Sequence, residues 1–246
     1  NLIYIDFSKM PAECSSYTSY ISRIEKRLKT DLLKDFPDVE CSMEDALWDI
    51  LDSIFDVYHG QKFLFVMDEW DYIFHRDFIL DKDRKGYLQF LSNLLKDHAY
   101  VSMSYMTGIL PISKYSSGSE LNMFMEFKMT SMEIFGEYFG FTDEEVKEML
   151  AYYGLSEHYE QMKQWYDGYL FGNILVYCPW DVINHCRDLR VDSDAFPEDY
   201  WSNTSGNGIV RRFIDKANMQ TKSEIEQLIA GEEIVKEIRQ ELTYDE

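Results

Sequence analysis

The chain has 246 residues, of which 46% are apolar and 16% aromatic, enough to fill one large core or two modest ones. Its 24 Lys and Arg stand against 45 Asp and Glu, a net charge of −21, which excludes the basic surface from which direct nucleic-acid binding draws its phosphate affinity. No apolar run approaches the ~20 residues that a membrane-spanning helix needs, and Cys14, Cys41, Cys178 and Cys186 form no C-x₂-C pair, which argues against zinc and for reduced thiols in the cytoplasm.

In chain order, a first strand is expected over Leu2–Phe7. The segment Tyr17 to Leu33 then sets Ile21, Ile24, Leu28 and Leu32 on one helical face and Arg23, Lys26, Arg27 and Lys29 on the other, the pattern of a covering helix. Ser42 reads as the cap of a second helix whose buried stripe is Leu47, Ile50, Leu51, Ile54 and Phe55, closed by His59-Gly60.

The segment Lys62-Phe63-Leu64-Phe65-Val66-Met67-Asp68-Glu69-Trp70-Asp71 follows. Five apolar residues without alternation suit a parallel strand covered by helices on both faces, and such strands carry ligands at their carboxyl ends. An apolar strand ending in paired carboxylates is how P-loop ATPases present acids to Mg²⁺ and water. In that role Asp68 holds Mg²⁺ through its water shell, Glu69 orients or deprotonates the attacking water, and Asp71 adds charge or braces the loop. The competing reading is that the three acids cap a following helix, where carboxylates are also favoured.

A helix over Arg84 to Asp97, with Tyr87, Leu88, Leu91, Leu94 and Leu95 inward, leads to a strand over Tyr100 to Thr107. Strand, helix, strand favours a parallel sheet with a right-handed crossover, which brings the two strand tips side by side. Thr107 then faces Asp68, either as a reporter of the γ-phosphate or as an ordinary strand-end Thr before the turn residue Gly108. Lys114 reaches a nucleotide phosphate or is a solvated loop lysine. A flexible turn at Ser116-Ser117-Gly118-Ser119 precedes a boundary near Phe127 to Ser131.

Beyond it, Thr142 and Glu145 match a capping box. Gly168–Tyr177 reads as a hairpin turning at Gly172-Asn173, and Pro179 opens the next helix. Trp165-Tyr166-Asp167-Gly168-Tyr169 is open to two readings, a partner or nucleotide-ring surface, or core packing. From Lys216 the chain is strongly charged and reads as a helical connector.

Phe63–Asp71 with Asp77, Tyr100–Ile112 and Tyr115–Phe124 resembles the bacterial AAA-ATPase-like family. The resemblance rests on Asp68-Glu69-Trp70-Asp71 and on Tyr105-Met106-Thr107-Gly108-Ile109-Leu110-Pro111-Ile112. It extends through Ser116-Ser117-Gly118-Ser119-Glu120-Leu121-Asn122, Glu137-Tyr138-Phe139-Gly140-Phe141-Thr142, Trp165-Tyr166-Asp167-Gly168-Tyr169 and Tyr200-Trp201-Ser202-Asn203-Thr204-Ser205-Gly206. It implies a partial P-loop NTPase-like α/β parallel sheet with covering helices over 1–128, a small helical or winged-helix-like subdomain over 129–215 and the charged connector over 216–246. It implies ATP and Mg²⁺ as cofactors and a restriction-endonuclease-like nuclease domain beyond the connector. The chain departs from the family in one respect: it holds no G-x-x-x-x-G-K-[ST] loop to cradle phosphate. The expectation is a chain that begins downstream of that loop. The alternatives are a degenerate relative, a non-hydrolytic module that holds a protein partner, or an ATP-independent carboxylate metal site.

Overall fold

The computed structural model describes residues 1–11, 14–109, 121–127, 135–171, 173–201, 214–215 and 217–235. They divide into two compact units, Asn1–Glu126 and Phe127–Val235. No helix among the described residues is long and apolar enough to cross a membrane.

The first unit is α/β. Strands β1 (Leu2–Asp6), β2 (Phe63–Asp68) and β3 (Val101–Met106) form a parallel sheet in the order β1-β2-β3. Helices α1 (Tyr17–Asp35) and α2 (Leu47–Val57) fill the first crossover, and α3 (Asp81–Leu95) fills the second. The stripes expected from periodicity are buried for the most part, with Ile24, Leu28 and Phe55 half-buried. Leu47, Ile50, Leu51 and Ile54 of α2 are wholly inaccessible, and Tyr87, Leu88, Leu91, Leu94 and Leu95 of α3 are buried with them.

Two local expectations need correction. Ser42 does not cap α2, because the Asp45 carboxylate turns back onto the Ser42 N–H at 2.7 Å and its hydroxyl at 2.9 Å, a local turn that competes with helix. The helix begins instead at Leu47, with Ala46 at its cap. Helix α3 begins three residues before Arg84, at Asp81, where Asp83 accepts from the Leu80 N–H at 3.0 Å.

The larger correction concerns the sheet. The β2 sequence suggests cover on both faces, yet its burial alternates: Phe63, Phe65 and Met67 are buried, while Leu64 and Val66 are half-buried. The cause is topological. Strand order follows chain order, so both crossovers advance in the same direction, and right-handed crossovers then stack their helices on one face. On the opposite face the register aligns Leu2 with Leu64 and Met103, and Tyr4 with Val66 and Tyr105. Leu2 is 62% exposed, Tyr4 53%, Met103 59% and Tyr105 54%.

The second unit packs α4 (Asp143–Tyr153), α5 (Tyr159–Tyr166) and α6 (Pro179–Val191) around Val146, Leu150, Met162, Tyr177 and Val182. Strands β4 (Asp167–Phe171) and β5 (Ile174–Tyr177) pair antiparallel as the expected hairpin, although Gly172 of its turn lies outside the described residues. Helix α7 (Met219–Ile229) is capped by Asn218, whose side chain accepts from the Thr221 N–H at 2.8 Å. The capping box read from sequence is present, with Thr142 and Glu145 bonded reciprocally. Gly154 closes α4 at φ 70°, a left-handed cap that a residue with a Cβ adopts only at a cost.

Asp143 joins three of these elements. It accepts from the hydroxyls of Tyr159 and Tyr177 at 2.7 Å each and pairs with Lys147 at 2.6 Å. Lys147 first, then the two tyrosines, hold its carboxyl well below the usual carboxylate range. A depressed carboxyl stabilises the fold above its ordinary pKa and loses that contribution as pH falls. Asp143→Ala is expected to cost about 1–2 kcal/mol at pH 7, since it strips the buried Tyr177 hydroxyl of its acceptor, and less in acid, where protonation has already removed the charge that pairs with Lys147. Denaturant unfolding at a series of pH values, followed by circular dichroism, measures both the cost and its decline toward acid.

Candidate acidic site at the sheet edge

The acids collect at the carboxyl ends of the three strands. In register, Asp6 of β1 lies opposite Asp68 of β2, and the parity of the strands puts both on the uncovered face. Thr107 follows β3, and its hydroxyl donates to Asp68 Oδ1. The Tyr4 hydroxyl lies 3.5 Å from Asp68 Oδ2. Asp6 and Tyr4 were missed as site residues by sequence reasoning. The available signal was the acid ending the first strand, which only the inter-strand register connects with Asp68.

The loop after β2 sits on aromatic packing. Trp70 is 2% exposed and meets Phe74 edge-on at 5.5 Å. Phe74 in turn meets Tyr87 at 5.8 Å, and Tyr87 meets Phe7 at 5.7 Å. The Tyr87 hydroxyl donates to the Trp70 carbonyl at 2.6 Å, and the Tyr20 hydroxyl to the Phe7 carbonyl at 2.8 Å. Backbone bonds tie the two strand ends together, from the Thr107 N–H to the Met67 carbonyl at 2.9 Å and from the Trp70 N–H to the Thr107 carbonyl at 3.0 Å.

These anchors divide the three acids of the motif. Asp71 is fully buried and accepts from the Ile109 N–H at 3.1 Å, so it braces the loop after β3. Glu69 turns the chain at φ 55°, in the left-handed region that costs a residue with a Cβ about 1–2 kcal/mol. Its carboxyl pKa is raised, by burial first and then by the charges of Asp71, Asp68 and Asp6. Asp6 differs in having its own donors: although burial pushes its pKa up, the Ser8 hydroxyl at 2.6 Å, the Ser8 N–H at 3.0 Å and Lys9 at 3.2 Å bring it below the usual value.

Asp68, Glu69 and Thr107 are thus gathered at one end of the sheet. Lys114 lies outside the described residues, as do the turn at Ser116-Ser117-Gly118-Ser119 and the loop Ser202–Gly208. No group of three or more His, Cys, Asp or Glu among the described residues is arranged to hold a metal by itself. A Mg²⁺ ion that keeps most of its water and is shared with phosphate asks for less, one or two carboxylates. Asp68 and Asp6 stand in register at the strand ends, beside a Glu69 carboxyl raised by burial first and by the neighbouring acids after it. No protein-family model, curated protein or solved structure matches the chain.

Two outcomes follow from this geometry. A Cβ on Gly108 would lie 2.7 Å from Asp71 Oδ1 and closer still to the Trp70 ring, so Gly108→Ala is expected to cost about 1–3 kcal/mol in denaturant unfolding. Because the Glu69 pKa is higher folded than unfolded, its ionisation opposes folding: stability falls as pH rises from the ordinary carboxylate value through the raised one. Glu69→Gln is expected to remove that part of the decline, which melting temperatures measured across this window will register.

Proposed function

We propose that the acid cluster is the metal- and water-handling half of an ATPase site of the AAA-ATPase-like, P-loop NTPase kind. The observation that carries this reading is the bond from Thr107 to Asp68 at the ends of adjacent parallel strands, beside a Glu69 carboxyl crowded by like charge.

Asp68, with Asp6 in register beside it, holds Mg²⁺ through water. When bound, the ion neutralises charge on the β- and γ-phosphate oxygens. Glu69 follows Asp68 directly, and its left-handed backbone turns it away from the strand direction. With its proton affinity raised, it is suited to orient water and accept a proton, because a general base works best with a pKa near the operating pH. Thr107 fixes the orientation of the Asp68 carboxylate and stands where a γ-phosphate would be sensed. These 246 residues hold no phosphate cradle of the G-x-x-x-x-G-K-[ST] kind, so on this reading one has to be supplied to the site.

A second reading is favoured by the exposed row of Leu2, Tyr4, Met103 and Tyr105: an NTPase scaffold that no longer hydrolyses and holds a protein partner. Calorimetric titration with Mg²⁺–ATP separates the two, run on this chain alone and on a longer form in which it is joined to a phosphate-loop segment. Binding by the longer form is expected. Within it, Glu69→Gln should retain ATP and lose about 10²-fold or more in turnover, while Asp68→Asn should lose the Mg²⁺ dependence of binding. Retained turnover in the Glu69→Gln variant removes Glu69 as the base, and absence of binding in both forms favours the partner-holding scaffold.

A further inference from the structure

The second unit contains a cavity of about 480 Å³ between the end of α5, strand β4, the start of α6 and the segment Glu198–Trp201. This is within the ordinary size range of small-ligand pockets. Trp165, Tyr169 and Trp201 supply aromatic wall, and Asp167, Asp181 and Asp199 supply carboxylates. None of the lining residues among the described ones is a Lys or Arg.

The walls are fixed independently of any ligand. The Tyr166 hydroxyl donates to the Glu198 carbonyl at 2.9 Å and accepts from the Glu198 N–H at 3.1 Å. The Trp180 indole donates to the Tyr200 carbonyl at 3.2 Å, and the Tyr200 hydroxyl to Asp188 at 2.8 Å. The Trp165 ring is held edge-on to Phe196 at 5.3 Å and remains 45% exposed.

Asp181 is the informative residue. It lies in the first turn of α6 and is only 8% exposed. Its Oδ1 is buried without a hydrogen-bond partner among the described residues, as is Oδ1 of Asp167. A buried acceptor left in this state is destabilising, and more so when charged. Burial first, then neighbouring Cys178, Asp181 and Asp199, pushes the Tyr169 hydroxyl pKa up, and the described lining carries four carboxyl groups, on Asp167, Asp181, Glu198 and Asp199. The acids are not arranged as a metal site among the described residues. Aromatic faces set near the carboxylates of Asp167 and Asp181, each with one unpaired oxygen, instead match an organic cation, which gains from the ring quadrupole and from the charge together.

We propose that this cavity binds an organic cation, a guanidinium or substituted ammonium group, with Asp181 as the charge partner and Trp165, Tyr169 and Trp201 as the enclosing rings. The group is carried either by a basic peptide side chain or by a free amine. Calorimetric titration of the 246-residue chain with N-acetylarginine amide and with choline distinguishes these sources, using N-acetylcitrulline amide and 3,3-dimethylbutan-1-ol as neutral counterparts of the same shape. The expected result is binding of at least one cation, with its neutral counterpart weaker by about tenfold or more and a comparable loss in Asp181→Asn. Preference for the arginine probe assigns the site to a peptide side chain, and preference for choline assigns it to a free quaternary amine. Trp165→Ala, at an exposed position, should weaken binding as well and serves if Asp181→Asn does not fold. Equal binding of the neutral probes, no binding of either cation up to about 20 mM, or undiminished binding in both variants overturns the proposal.

Discussion

The central position of β2 is the constraint from which the first unit takes its form. Hydrogen-bonded to β1 on one side and β3 on the other, it fixes the register that sets Asp6 against Asp68 and brings Thr107 to the same end. Bringing like charges together is unfavourable, and the structure offsets most of it locally. Asp6 is met by Ser8 and Lys9, Asp68 by Thr107, and Asp71 by the Ile109 amide. Glu69 has a raised pKa, from burial first and from these neighbouring charges after it, on a left-handed backbone. It is this perturbed carboxyl to which the proposed ATPase reading gives the attacking water.

Much of the first unit was legible in the sequence, because its signals are local. The helical stripes of α2 and α3 recur at the helical period, and the acids after Met67 mark a strand end whatever surrounds them. Thr107 was found through the rule that a strand, helix, strand unit closes with adjacent tips. Other features depend on information that no local window contains. Asp6 joins Asp68 across more than sixty residues of chain. The uncovered face follows from strand order, and the apolar run of β2 reads the same whether one face or both are covered. Asp71 and Glu69, two residues apart, look equivalent in sequence. They diverge because the left-handed turn at Glu69 sends the following side chains of Trp70 and Asp71 inward, toward Gly108 and Ile109. In the second unit the capping box and hairpin were legible for the same local reasons. The Trp165–Tyr169 cluster divides in a way that spacing did not separate: Tyr166 is core, while Trp165 and Tyr169 face the cavity.

Donor supply distinguishes structural carboxylates from available ones throughout the molecule. Asp143 has two hydroxyls and an ammonium within bonding distance and acts as a joint between α4, α5 and β5. Asp181 is more deeply buried than Asp143, yet one of its oxygens is unpaired among the described residues. Type and burial alone do not separate the two. The count of N–H and O–H groups aimed at each oxygen does, because a buried acceptor is stabilising only when that count is met.

The open face of the sheet gives the acidity of the chain a second meaning. Two rows of side chains, Leu2-Leu64-Met103 and Tyr4-Val66-Tyr105, lie flat and adjacent on it, the kind of surface that adheres to its own copy. At a net charge of −21, approaching copies repel before such faces meet, over a range of about 8 Å at physiological ionic strength. Colloidal stability and the uncovered sheet are therefore coupled, and the margin between a dispersed protein and an associating one is set by the salt around it.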